Sequence, residues 1–317
     1  MEPSPGATDP TAWILQQRPP KPAGLDPFRP QGFFLEEERS ASGELVKSAC
    51  ILLTNKECPW RCLMCDLWRH TLDFTVPPGA IPAQVEYALS RLGGCPAQVK
   101  LYNSGSFFDR AAIPPGDYPA IAAAVSKAGN VIVESHPRLI GERVLRFRDR
   151  LRGCLEVALG LETVHPEVLP RLNKRFDLRD FSAAASFLRN AGIAVRAFVL
   201  VKPPFLEEDE AVEWAVKSAE FAFDCGAGVV SLIPTRAGNG ALDRLRETKD
   251  FAPPTLLTLE RSLEGALRLS RGRVFADTWD LDKFSQCPEC LPARRLRLER
   301  INREQRPVPP VRCAACG

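Results

Sequence analysis

The sequence predicts an α/β protein built on a parallel sheet covered by helices. Three observations lead there. From about residue 46, apolar runs of strand length alternate with segments of helical period, six times or more. The strand runs are almost continuously apolar, as strands buried on both faces are. Gly129, Gly153, Gly192, Gly226 and Gly272 each follow a helical segment, where a residue with positive φ ends a helix at little cost. A partial or complete β/α barrel and an open doubly wound sheet both satisfy this rhythm.

Residues 1–45 are rich in proline and charge, as in Arg18-Pro19-Pro20-Lys21-Pro22. They read as an extended arm anchored by Trp13, Phe33 and Phe34, or as a solvated tail. The strand candidates that follow are Ala49–Thr54, Gln98–Asn103, Val131–Ser135, Leu155–Leu161, Val195–Val201, Val229–Pro234 and Arg273–Thr278. Between them run helix candidates at Ile81–Leu92, Asp117–Ala128, Gly141–Leu151, Leu178–Asn190, Glu208–Phe223 and Thr255–Ser270. In the fifth helix Val212, Ala215, Val216, Ala219 and Phe223 share one face. Residues 46–280 therefore form the α/β body. Residues 281–317, which hold two Cys-x2-Cys pairs, form a separate metal-binding module.

The chain has 317 residues, 45% hydrophobic and 26% charged, with a formal net charge of +3. That composition argues against disorder, and the charge as a whole names no partner. No apolar run reaches the roughly 18 residues needed to span a membrane, and no hydrophobic signal opens the chain. A cytoplasmic protein without membrane contact is expected. Eleven cysteines then point to metal rather than to disulfides.

Three of them, Cys58, Cys62 and Cys65, lie within eight residues as C-x3-C-x2-C, just after the first strand candidate. Thiolates suit iron–sulfur clusters and zinc. A zinc site needs four ligands, and only His70 is near enough to supply the fourth. Three cysteines from one loop fit three corners of a 4Fe–4S cluster with one iron left open. In either architecture functional groups collect at the carboxyl ends of the strands. That rule nominates Asn103-Ser104-Gly105-Ser106, Glu134-Ser135-His136, Gly160-Leu161-Glu162-Thr163, Lys202-Pro203-Pro204 and Pro234-Thr235-Arg236.

The spacing C-x3-C-x2-C after the first strand of a β/α domain resembles the signature of the radical SAM superfamily. The resemblance covers about residues 46–280. It is nearest to the Elongator-subunit-like group that contains the archaeosine-synthesis radical SAM enzyme. Leu53-Thr54-Asn55-Lys56-Glu57-Cys58-Pro59-Trp60-Arg61-Cys62, Tyr102-Asn103-Ser104-Gly105-Ser106-Phe107, Gly160-Leu161-Glu162-Thr163 and Lys202-Pro203-Pro204-Phe205-Leu206 carry it. It implies a partial (β/α)6-type TIM-like barrel. It also implies an open iron that chelates S-adenosylmethionine, an electron donor such as flavodoxin or ferredoxin, and a 5′-deoxyadenosyl radical that abstracts a hydrogen atom. Met64 stands where the superfamily often has an aromatic residue against adenine. No counterpart of the Elongator acetyltransferase domain is present, so acetyl transfer is not implied.

The resemblance gives roles to the strand ends. Met64 and the segment Asn103, Ser104, Gly105 and Ser106 would meet the cofactor, with Gly105 allowing close backbone approach. Glu134 and Glu162 would accept hydrogen bonds from ribose or an ammonium, or pair with a neighbouring arginine. Lys202 would pair with a carboxylate or reach solvent; with Glu162 it is the candidate catalytic pair. Arg175 and Arg236 are candidate carboxylate binders. His136 and His165 read as surface imidazoles.

Cys287, Cys290, Cys313 and Cys316 read as a four-thiolate zinc-ribbon-like site, with an auxiliary iron–sulfur cluster as the rival. Between the pairs lie Arg294, Arg295, Arg297, Arg300, Arg303 and Arg306 against Glu299 and Glu304. This basic stretch could hold tRNA phosphates, or be a solvated helix. The sequence thus predicts a radical SAM enzyme acting on a tRNA or modified nucleobase. One alternative is the same chemistry on a small metabolite or natural-product precursor. The other is a non-catalytic zinc-dependent nucleic-acid-binding protein.

Overall fold

The computed structural model describes residues 9–316. Eight strands form one sheet in sequential order: β1 (Gly32–Arg39), β2 (Leu45–Leu52), β3 (Gln98–Tyr102), β4 (Asn130–Ser135), β5 (Cys154–Glu162), β6 (Ala194–Val201), β7 (Val229–Pro234) and β8 (Arg273–Ala276). β1 is antiparallel to β2, and every later pairing is parallel. The helices, in chain order, are α1 (Pro10–Gln17), α2 (Ala80–Arg91), α3 (Tyr118–Ala124), α4 (Glu142–Arg148), α5 (Val168–Arg171), α6 (Leu178–Asn190), α7 (Ala211–Asp224), α8 (Ala241–Glu247), α9 (Leu256–Arg268) and α10 (Leu291–Glu304). One continuous apolar core joins the strands to the helices that cover them.

The sheet is curled into a half-barrel. β1 and β6 are five places apart, which in a flat sheet is about 24 Å. Yet Arg196 of β6 donates to Glu38 of β1 at 2.5 Å and to Glu156 of β5 at 2.6 Å, and Lys100 of β3 pairs with both Glu38 and Glu36. These groups fill the end of the barrel at which the parallel strands begin. Burial alone would raise the Glu38 carboxyl, but Arg196 and Lys100 override it and hold it far below the carboxylate range. A buried charge needs such partners.

The arm is therefore more ordered than the sequence suggests. Phe33-Phe34-Leu35-Glu36-Glu37-Glu38-Arg39 looks too acidic for a strand, but two of its glutamates find cations inside the barrel. α1 packs Ile14 against Leu63, Leu242 and Leu245.

α10 closes the other side. β8 is an edge strand, with the N–H and C=O of Val274 and Ala276 directed away from β7. Asn302 accepts from Ala276 N at 2.9 Å and donates to Ala276 O at 2.8 Å. Gln305 does the same for Val274, at 2.8 and 2.9 Å. Two carboxamides from α10 and its C-terminal cap thus stand in for a ninth strand.

Candidate functional site

The carboxyl ends of the parallel strands carry unusual backbone. Ser104, Glu162, Asn173, Arg175, Lys202 and Phe205 all have positive φ, between 52° and 69°. Such strain persists only where surrounding contacts impose it, and it clusters at functional sites. β5 adds a register shift between Gly160 and Glu162.

Cys58, Cys62 and Cys65 lie on the loop that follows β2. Burial pushes all three thiols up to about 12. The loop's backbone is braced from three directions. Asn173 donates to Arg61 O at 2.7 Å. Asn239 donates to Leu63 O at 2.8 Å and Cys65 O at 3.2 Å, and accepts from Leu242 N at 2.7 Å. Leu63 N donates to Leu172 O at 2.9 Å. Trp60 stacks on His136, with ring centroids 3.8 Å apart and 3° between planes. His136 is 4% exposed, and burial drives its imidazole down to about 3. Its Nε2 lies 2.8 Å from Lys174 O, while Nδ1 accepts from Arg138 N at 3.2 Å, which fixes the neutral Nε2–H tautomer. His136 is thus no surface imidazole: Trp60 covers one of its faces.

The segment after β3 lies against this loop. A Cβ on Gly105 would stand 3.2 Å from Cys58 Cβ, so glycine permits the approach. Glu134 does not reach outward. Its carboxylate accepts from Asn103 N at 2.5 Å and Gly105 N at 3.5 Å and so shapes the turn. Burial raises Glu134 to about 7, against the pull of those N–H groups. Ser106 Oγ accepts from His136 N at 2.9 Å. Asn103 is fully buried, and neither of its side-chain polar atoms has a partner among the described residues.

Glu162 pairs with Lys174, a residue the sequence reading passed over. Desolvation opposes the Lys174 ammonium, but Glu162 and the Cys62 and Cys58 thiols raise it on balance. Lys202 is buried and pairs with Glu208 at 2.8 Å. Met64 is half-buried, packed against Leu172 and Leu200. The Arg175 side chain is 53% exposed and meets Thr11 and Asp9. Arg236 is tied to Asp277 at 2.5 Å. His165 caps its own helical turn, accepting from Glu167 N and Val168 N. His70 is exposed and joins no ligand group with the three thiols.

The second cysteine set is different. Among the described residues, Cys287, Cys290, Cys313 and Cys316 form the group whose ligand atoms all lie within 4.8 Å of one another. Cys287 and Cys313 sulfurs are 3.9 Å apart, and Cys290 and Cys316 sulfurs 3.6 Å. The arginines of α10, and Arg306 just beyond it, are largely neutralised. Arg294 pairs with Glu260, Arg297 with Glu260 and Glu264, Arg300 and Arg306 with Glu304, and Arg303 with Glu37. No helix among the described residues is long and apolar enough to cross a membrane.

No family model matches the chain. An archaeosine synthase subunit beta of Methanosarcina acetivorans is 27% identical over 246 residues, 71% of this chain and 68% of that protein. The archaeosine synthase subunit beta of Thermococcus kodakarensis is 31% identical over 208 residues, 62% of this chain and 64% of that protein. About a third of each relative's length thus lies outside the match. The fold is similar to that of methylornithine synthase, with a TM-score of 0.54 over 79% of this chain and 68% of that one, at 14% identity.

Proposed function

We propose that this chain is an Elongator-like radical SAM enzyme, which cleaves S-adenosylmethionine with a cluster held by Cys58, Cys62 and Cys65 and acts on a nucleobase of tRNA. The observation that carries this reading is the braced three-thiol loop. Its ligand atoms do not draw together as a mononuclear site requires, and it faces strained, polar strand ends. Three thiolates spread in this way suit a cubane with one iron free of protein.

When bound, the 4Fe–4S cluster would supply one-electron cleavage of S-adenosylmethionine and hydrogen-atom abstraction from the substrate. The chain's own residues hold, orient and shield. Asn173, Asn239 and the Trp60–His136 stack fix the cysteine backbone. Glu134 shapes the turn at Asn103–Gly105, which would lie along the amino acid part of the cofactor. The Asn103 amide is free to bond to it. The Lys174 ammonium, paired with Glu162, offsets thiolate charge, while Lys202 at the end of β6 is held by Glu208. Leu63, packed with Ile14, Leu242 and Leu245, and Met64, packed against Leu172 and Leu200, back the loop with apolar contacts.

The Cys287–Cys316 set fits one zinc ion. Tetrahedral geometry with Zn–S of about 2.3 Å places sulfurs roughly 3.8 Å apart, close to the separations found. A four-iron cluster would hold its thiolates wider. The relatives' name, archaeosine synthase, supports tRNA as the substrate class. The proposal includes a cytoplasmic location and a low-potential electron donor.

The test is anaerobic reconstitution with iron and sulfide, followed by a dithionite assay for 5′-deoxyadenosine. Product from the intact chain and none from Cys62→Ala is expected. No product from fully loaded protein would overturn the reading.

A further inference from the structure

A cleft of about 550 Å³ opens on the outer shoulder of the barrel, between the loops after β3 and β4 and helix α4. Five arginines line it: Arg110, Arg138, Arg143, Arg146 and Arg150. Glu142 is the one acid among its lining residues. The cleft therefore gathers a surplus of four positive charges (five minus one), where the whole chain nets +3. Arg138 pairs with Asp180 and Arg146 with Glu142. Arg110, Arg143 and Arg150 form no salt bridge with any described residue. Arg143 instead donates to Phe108 O at 2.9 Å, and Arg150 to Arg146 O at 2.6 Å. The α10 arginines, by contrast, are mostly bound to carboxylates of the same chain.

A second observation points to a ligand. Tyr118 lines the cleft and is 2% exposed, yet its hydroxyl has no hydrogen-bond partner among the described residues. Its ring is held between Phe107 and Phe147 at 5.8 and 5.2 Å, so the hydroxyl cannot swing away to find water. Arg143, Arg146 and Arg150 are spaced i, i+3 and i+7 along α4 and the turn that follows it. They make a row of about 10 Å, which suits charges repeated along a polynucleotide strand better than one compact anion. Guanidinium is also the side chain that grips phosphate through two hydrogen bonds. The cleft is connected to the site: Arg138 N donates to His136, which stacks on Trp60 between the cysteines, and Phe107 directly follows Ser106.

We infer that this cleft is an RNA-backbone docking surface, which holds the strand beside the barrel mouth while a nucleotide is presented to the site. It rests on the tRNA part of the reading above and moves the RNA contact from the α10 tail to α4.

The test compares two triple variants of the full chain for binding to an unmodified tRNA transcript across a salt series. In the first, Arg110, Arg146 and Arg150 are replaced by alanine; all three are exposed, so folding is not at risk. In the second, Arg300, Arg303 and Arg306 are replaced. Each lost phosphate contact on a single strand lowers the salt slope by about 0.7. The cleft variant should therefore lose about 2 from the slope and bind at least tenfold more weakly, with the tail variant near wild type. Equal binding by the cleft variant, or a loss confined to the tail variant, overturns the inference. Wild-type protein that cleaves S-adenosylmethionine but binds no tRNA overturns it also, and leaves the radical chemistry standing. Cleft-dependent binding without cleavage supports it while removing that chemistry.

Discussion

Replacing Asn239 by alanine should release the cysteine loop without unfolding the barrel. Asn239 is 2% exposed and makes three hydrogen bonds, two to the carbonyls of Leu63 and Cys65 and one from the first turn of α8. Alanine leaves two loop carbonyls and one amide without their partner. Lost bonds of this kind cost about 1 kcal/mol each, and more where the orphaned group stays buried, so the closed loop should lose about 2–4 kcal/mol. At 1.4 kcal/mol per tenfold, cluster retention should fall roughly thirty- to several-hundred-fold. The assay is iron content and the rate of iron release to a chelator after anaerobic reconstitution, with circular dichroism to confirm the fold. Asn302→Ala is the control, because it removes two hydrogen bonds of similar length far from the thiols. It should lower the thermal midpoint while holding iron normally. The reasoning fails if folded Asn239→Ala keeps iron like wild type, or if Asn302→Ala releases it as fast.

Gly105→Ala should load iron a little less well and Gly105→Val hardly at all, because the added carbons meet Cys58 Cβ at 3.2 Å or closer; iron per chain decides it. Glu134 has a folded-state value of about 7, above the ordinary 4.5, so the native state binds its proton more tightly than the unfolded chain. Its contribution to stability is full below about pH 4.5 and is lost as pH rises through about 7. Glu134→Gln, which keeps the acceptor oxygen, should flatten the fall in urea midpoint between those limits; an unchanged slope refutes the assignment. Cys287→Ser should remove one zinc per chain by elemental analysis, leave iron loading intact and lower the thermal midpoint; loss of iron instead would favour a cluster at that site.

What the sequence made legible follows from how each element is stabilised. β2 to β8 are buried on both faces, so their apolar runs announce them, and Leu178–Asn190 matches its helix to the residue. β1 was hidden because its inward residues are glutamates whose cations, Lys100 and Arg196, lie far along the chain. The α10 arginines look like solvated charge for the same reason, yet Arg297 is buried. The three thiols were plain from their spacing. Lys174 was not: Asn173 and Arg175 both take positive φ, and the resulting turn sends Lys174 inward and Arg175 outward. Nothing local distinguishes the two. Asn239 and His136 were equally silent, since each acts through a carbonyl or ring more than 70 residues distant.

The amide pairing of α10 with β8 bears on self-association. An uncovered edge strand is a template for another chain, and β8 would offer the backbone groups of Val274 and Ala276 to any extended segment. Side chains rather than a strand satisfy those groups, so the cover can lift away without breaking a single backbone ladder. Loosening α10, for instance by losing the four-cysteine cluster at its N-terminal end, should therefore first yield sheet-to-sheet oligomers of intact barrels. The four-cysteine module would then act as a guard on solubility as well as a fold element.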